Sequence, residues 1–426
     1  MIKRNYIFHY LLVLFAIFLQ TACSDSVDES HFVQTELEMW LHYGSETERR
    51  TIQQQVARYN SLQDNAIINA VILPEGKYHE QVSNAAANGR LPDILEVDPG
   101  YIGFRAWRKQ LRPIDKLLSD SVRGDLLLPV LQQGIYQGRL YAVSPESRIA
   151  LVFMRKSALE AAGISEIGPD TWTLAHFYKV IARLQGQTGA QGLIELKRFD
   201  NEQDLSDEIL PLVYASESIS GNDVAFVDRL TGSSTRELFH FFQNGFQKGY
   251  FDRHKDDSFL TGEARVALGS QADITTYQRA WQDDLLVLPM PGAQRINFMF
   301  HSGWSLGITH DCRDEQLAVR FIEFLLQPEE VMIMARASDT LPGTYSALGM
   351  SESPATVVKS LFSRIQSAET EQTMIYTSTP AYPQLRARFY RLFQNIARGE
   401  DVSTELVEAR NDMTTILRQY QVNQTN

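Results

Sequence analysis

The sequence predicts an α/β fold in two lobes, built of mainly parallel sheets flanked by helices, and three observations carry that expectation. The 426 residues exceed what a single hydrophobic core usually supports. Strand-like and helix-like segments alternate along the first hundred residues, the order that places helices on both faces of a parallel sheet. Six apolar residues in a row, Ile149 to Met154, follow a polar turn, as a buried strand crossing between lobes would.

The N-terminus is not part of the folded body. Lys3 and Arg4 precede an apolar run from Leu11 to Leu19 that contains no acid. Crossing a bilayer takes about 20 apolar residues, so residues 1–22 read as a signal peptide and not as a membrane helix. Thr21 and Ala22 lead into Cys23, an ending that resembles a bacterial lipobox and implies lipidation of Cys23. Gln20 stands where that motif normally has leucine, and ordinary cleavage nearby is the alternative. Residues 23–34 are polar and acidic and suit a tether. Cys312 is the only other cysteine, so an acylated Cys23 leaves no internal disulfide, and no thiolate metal site can form. Cys312 reads as a lone surface or half-buried thiol.

Folding begins with Glu36 to Leu41, which alternates polar and apolar residues apart from Trp40 and reads as a strand. Ser45 and Glu48 then stand at capping-box spacing ahead of Ile52, Val56 and Tyr59, which predicts a helix. A strand over Ala66 to Leu73, a helix over Tyr78 to Asn88 and a strand over Ile94 to Val97 follow in the same manner. Gly134 to Val143 reads as a hairpin leading through Pro145 into the apolar run. Further on, Asp314 starts a helix with Leu317, Phe321, Phe324 and Leu325 on one face, and Pro328 interrupts it. From Thr379 to Gln421 the pattern is helical, with Leu385, Phe389, Leu392, Phe393 and Ile396 on one face.

The formal charge is −12, and −14 once the first 22 residues and their two cations are removed; nucleic-acid binding needs the opposite sign. The chain holds no glycine-rich phosphate loop, nucleophile elbow or His-Glu-x-x-His, and its nine histidines are scattered. No enzymatic activity and no cofactor or metal is expected.

The order of segments resembles the extracellular solute-binding proteins of sugar-type ABC transporters, the group that includes maltose-binding protein. The pieces are Met39 to Gly44, Ala87 to Ile94 ending in Asp98, Leu111 to Asp115, and Gly138 to Pro145. Ala161 to Ile164, Pro169 to Trp172, Gly262 to Gly269, Leu288 to Gly292, Ser302 to Ile308 and Leu341-Pro342 continue the series. One departure is Met154-Arg155-Lys156, where the family usually has Tyr-Asn-Lys.

The resemblance implies the two-lobe periplasmic binding protein fold of type II, with a hinged cleft. The expected first lobe comprises 35–145 and 295–343, and the second 146–294 and 344–426. It also implies a monomer anchored through its N-terminal lipid to a bacterial membrane and facing the periplasm, which captures a sugar and hands it to ABC permease subunits. A ligand-sensing module for a membrane receptor or kinase, or a binder of a polyol, is the alternative.

Sugar clefts need aromatic faces for the C–H side of the ring and planar polar groups for its hydroxyls. Trp304, between Gly303 and Ser305, is the leading aromatic candidate, with a core tryptophan as the other reading. Tyr43 and Ser45 lie where the first strand meets its helix, and Ser45 serves equally as an N-cap. Asp98 and Tyr101 follow a buried strand, where a carboxylate could bind hydroxyls or cap a turn. Glu146 and Arg148 sit at the lobe crossing and reach the cleft or pair with each other. Asp273 and Tyr277 mark a second-lobe loop, and Trp40 and Trp172 read as packing.

Overall fold

The computed structural model describes residues 34–164, 167, 172–188, 192–196, 202–217, 223–252, 257–293, 296–350, 373–375 and 379–422. The signal segment, Cys23 and nearly all of the tether lie outside the described residues, as do Pro169, Asp170 and Thr171.

Strand β1 (Thr35–Leu41) buries Leu37, Met39 and Leu41 on one face, as a two-residue side-chain period requires. The chain turns through Gly44, whose φ of +56° suits glycine, into helix α1 (Glu46–Leu62). Ser45 is its N-cap, and the reciprocal capping box with Glu48 forms as the spacing predicted. Strand β2 (Ala66–Ile72), helix α2 (Tyr78–Ala87) and strand β3 (Ile94–Val97) follow, and both strands run parallel to β1. The expected hairpin is present as β4 (Ile135–Tyr136) and β5 (Arg139–Leu140), and β6 (Ala142–Val143) comes next.

Strand β7 (Glu146–Arg155) then carries the chain into the second lobe, with Ile149 to Met154 all within 3% of full burial. Around it lie α3 (Leu174–Thr188), β8 (Ile194–Glu195), α4 (Glu202–Ser216), α5 (Ser233–Gln247), β9 (Phe251–Asp252), β10 (Val266–Ser270), β11 (Leu285–Pro291) and β12 (Ile296–Ser302). Strand β13 (Ser305–Ile308) returns to the first lobe, followed by α6 (Glu315–Leu325), α7 (Pro328–Ala337) and β14 (Leu341–Pro342). Strand β15 (Thr373–Ile375) and helices α8 (Tyr382–Arg398) and α9 (Val402–Val422) come last among the described elements. Among them no helix is long and apolar enough to cross a membrane.

The first sheet has the order β2-β1-β3-β13-β6, and the second runs β15-β12-β11-β7-β10-β8-β9 with β14 beside β7. Parallel pairing holds where strand–helix units build the sheet, in β2-β1-β3 and β10-β8-β9. The crossing strands are antiparallel: β7 points away from the first lobe while β10, β11 and β12 run back toward it. Residues 296–302, expected in the first lobe, therefore pair in the second sheet, and this return to the first lobe falls at Gly303 and Trp304. The short helix Tyr345–Met350, expected in the second lobe, places Leu348 in the first core.

Each sheet has its own core. Leu37, Met39, Ile94, Leu306, Phe321 and Ile322 anchor the first; Phe153, Trp172, Phe239, Phe242 and Phe389 anchor the second. Burying each such side chain contributes about 1.5–3 kcal/mol. The predicted apolar face of α8, from Leu385 to Ile396, packs on the second core. Asp314 caps α6 by accepting from the backbone of Gln316 and Leu317, and Pro328 opens α7 where its missing N–H is not needed.

Asp93, buried just before β3, accepts from the backbone N–H groups of Glu38 and Arg313 at 2.8 Å and from the Arg313 guanidinium. Burial pushes this carboxyl up, but the Arg313 contacts outweigh it and hold it below the usual range. Cys312 is buried more fully than expected, and burial pushes its thiol up to about 12, so it is an inert core residue. Arg155 leaves its helix without a side-chain cap. Its guanidinium lies 4.0 Å over the Trp281 ring and donates to Asp284 at 3.1 Å.

Candidate functional site

The C-terminal ends of β1 and β3 open toward the start of β7, where the two lobes meet. In open α/β sheets such a crevice is where ligands bind. His42 is the first residue beyond β1, and Glu96 lies on β3. One Glu96 oxygen accepts from the His42 backbone N–H at 2.8 Å and faces its ring Nδ1 at 2.7 Å, which fixes the imidazole. The Tyr78 hydroxyl donates to the Glu96 carbonyl.

Trp304 occupies the short crossing between β12 and β13. Its indole lies flat against His42, with Tyr78 edge-on at 5.0 Å and His79 at 6.2 Å on a near-parallel plane. His79 in turn stacks on Tyr101 at 4.2 Å. Four rings, His42, Trp304, His79 and Tyr101, thus form a row on the first lobe's side of the cleft. Gly303 is required there, because a Cβ would overlap the Glu146 side chain.

The two imidazoles are shifted in opposite directions, each for a physical reason. Burial works against a charged His42, but Glu96 and then Glu48 outweigh it, and its pKa lies above the ordinary value. For His79 burial dominates, Arg386 and Arg105 add to it, and Asp98 offsets only part; the pKa falls to about 4. His79 is therefore neutral at physiological pH.

Polar groups border the row. Asp98 accepts from the Gly100 N–H at 2.9 Å and lies 3.7 Å from the Arg386 guanidinium and 4.0 Å from His79 Nε2. Arg386 also donates to the Tyr101 hydroxyl at 3.1 Å, which joins α8 of the second lobe to the first. Glu146 accepts from the hydroxyls of Ser338 at 2.6 Å and Thr340 at 2.9 Å. Arg148 stands 3.8 Å from Glu146 and 3.9 Å from Glu48, so the expected mutual pair exists as a loose one shared with α1. Among the described residues no group of histidines, cysteines and acids is placed to hold a metal ion.

Of the residues singled out in the sequence, Tyr43, Asp98, Tyr101, Glu146, Arg148 and Trp304 gather around this cleft. Tyr43 is exposed at its edge with Arg49 4.1 Å over its ring. Three do not join them. Ser45 is engaged as the α1 cap. Asp273 closes a capping box by accepting from the Ser270 N–H at 2.9 Å. Tyr277 is 2% exposed, wedged between Phe153 and Phe259, and donates to Glu195 at 3.1 Å, so it belongs to the second core. Trp172, fully buried, donates to the Pro289 carbonyl as a packing residue.

His42, Glu96, His79 and Arg386 were not singled out. His42 and Glu96 carried a signal, since both sit at the C-terminal ends of predicted parallel strands. Arg386 carried none, being separated from Tyr101 by 285 residues of sequence.

Solved structures of the same fold are similar over nearly the whole chain. The sugar-binding protein MalE of Xanthomonas citri superposes with a TM-score of 0.76 at 18% identity, covering 92% of this chain and 100% of its own. The cyclic alpha-maltosyl-1,6-maltose binding protein of Arthrobacter globiformis gives 0.73 at 17% identity, over 91% and 100%. An ABC transporter solute-binding protein of Thermotoga lettingae, bound with alpha-D-tagatose, gives 0.71 at 15%, over 90% and 100%. At these identities the likeness is one of fold, the two-lobe type II arrangement. The family model for bacterial extracellular solute-binding proteins matches residues 54–357, more than two thirds of the sequence. With two cores, a crossing strand and a polar, aromatic cleft between them, this chain belongs to the bacterial extracellular solute-binding proteins.

Proposed function

We propose that this protein captures a carbohydrate in the cleft and delivers it to the permease of an ABC importer. The observation that carries the reading is the row of four rings bordered by Asp98, Glu146, Arg148 and Arg386. A flat aromatic face matches the C–H side of a sugar ring, and carboxylates and guanidinium groups replace the water that its hydroxyls give up. The three solved relatives named above are described as binding sugars or as bound with one, which supports the same class. The chain acts as a binder and not as a catalyst.

In this reading the lobes hinge where the chain crosses, at 143–146, 302–305 and 342–345, and close on the ligand. The mature protein begins at a lipidated Cys23, faces the periplasm as a monomer and presents both lobes to the permease. The test is a carbohydrate panel against the mature protein, read by tryptophan fluorescence and thermal stabilisation. At least one sugar should raise the melting temperature in a concentration-dependent way; silence across mono-, di- and oligosaccharides would remove the proposal.

A further inference from the structure

Behind the His42 and Trp304 pair the cleft floor opens into a pocket. It reaches down between β1, α1 and β13 into the end of the first core. Its walls are aliphatic, formed by Met39, Leu41, Ile52, Ile72, Leu306 and Met334, while the mouth carries His42, Glu96, Glu146 and Trp304. One buried polar group lies within, and the half-buried Glu48 and Arg49 line the pocket as well. Gln55, 1% exposed, lines the pocket, and its Nε2 donates to the backbone and side-chain oxygens of Glu330 at 3.0 and 3.1 Å. Both partners are acceptors, so the amide cannot flip, and its Oε1 is left buried with no donor.

A bare sugar does not suit this space. Its several hydroxyls would be buried against carbon with one acceptor between them, each unpaired hydroxyl weakening binding. An apolar group with a single donor does suit it, since the walls gain from excluding water and Gln55 Oε1 gains its missing bond. We propose that the pocket receives the apolar aglycone of a glycoside, a ring carrying one hydroxyl or amine, while the sugar stays on the aromatic row at the mouth. The inference rests on the carbohydrate reading for the sugar half of the ligand, and on the pocket alone for the other half.

The experiment has two arms, both run by calorimetry on the full mature protein. In the first, methyl, phenyl and 4-hydroxyphenyl glycosides of one sugar are compared, and the phenyl compounds should bind at least about tenfold tighter than the methyl one. In the second, phenol and toluene are offered without any sugar, and phenol should bind better because only it can donate to Gln55. Ile72→Phe or Met334→Phe, which fill the pocket from two different elements, should abolish both gains while the methyl glycoside still binds.

Equal affinity for methyl and phenyl glycosides, a phenyl gain that survives both filling variants, or a phenol-soaked crystal with only water in the pocket would overturn the inference and leave the carbohydrate reading standing. Phenol uptake blocked by the filling variants, with no glycoside bound at all, would support the pocket and sink the carbohydrate reading instead.

Discussion

The imidazole of His42 lies flat on the indole of Trp304, with ring centroids 4.2 Å apart and planes within 5° of parallel. One ring follows the first strand, and the other arrives from 262 positions later at the crossing between lobes. Neither could be so placed by local sequence. The contact joins the crossing segment to the proposed binding surface, and several consequences can be measured.

Trp304→Ala should weaken carbohydrate binding by about 10- to 100-fold, the usual result of removing a central aromatic contact. Trp304→Phe should recover part of it. Because Trp304 is only half-buried, the melting temperature of the unliganded protein should move little. Titration of both variants decides this, and unchanged affinity in Trp304→Ala would take away the centre of the site.

His79 should make the protein sensitive to acid. Its pKa drops from an ordinary 6.5 to about 4 on folding, so between those values the unfolded chain takes up a proton that the folded protein refuses. Stability is therefore lost as pH falls through that window. His42, raised on folding, acts in the opposite sense: its contribution is complete below 6.5 and fades as pH rises through its higher value. His79→Phe keeps a ring on Tyr101 and should flatten the acid limb of a urea-denaturation series taken between pH 7 and pH 4. An acid limb identical to that of the parent protein would contradict the assignment.

Gly100→Ala should hold the lobes apart. A Cβ at Gly100 would overlap the ring of Tyr382, which opens α8 on the second lobe. The expected outcome is a larger radius of gyration in solution scattering with ligand present, and at least about tenfold weaker binding. Adding Tyr382→Ala should restore closure in the double variant, and failure to do so would point to local damage at Gly100.

Asp93→Ala should cost about 2–4 kcal/mol of stability, since it leaves the buried N–H groups of Glu38 and Arg313 without their acceptor. Asp93→Asn should cost less, because an amide oxygen still accepts. Denaturant melts of the two variants give the comparison, with the cleft's affinity for ligand unaltered in whatever fraction remains folded.

Much of the fold was legible because its signals are local. The Ser45 and Glu48 capping box, the alternation in β1, the apolar run of β7, the Asp314 cap and the face of α8 each arise within one or two helical turns or one strand. Order along the chain then pointed to the family. The same local grammar misplaced 296–302, since strand character does not say which sheet a strand joins. It also suggested a cleft role for Tyr277, because a tyrosine after a predicted loop looks alike whether it faces ligand or core.

What the sequence supplied by itself was therefore the elements, the two-lobe α/β plan and the choice of Tyr43, Asp98, Tyr101, Glu146, Arg148 and Trp304 as candidates for the cleft. Only the tertiary structure decided that His42 would stack on Trp304, that His79 would be half-buried and neutral, and that Arg386 would reach across to Asp98 and Tyr101. The reason is physical. Backbone hydrogen bonding and hydrophobic period act over a few residues, whereas a binding cleft is made by the packing of two cores that bring distant strand ends to the same few ångströms.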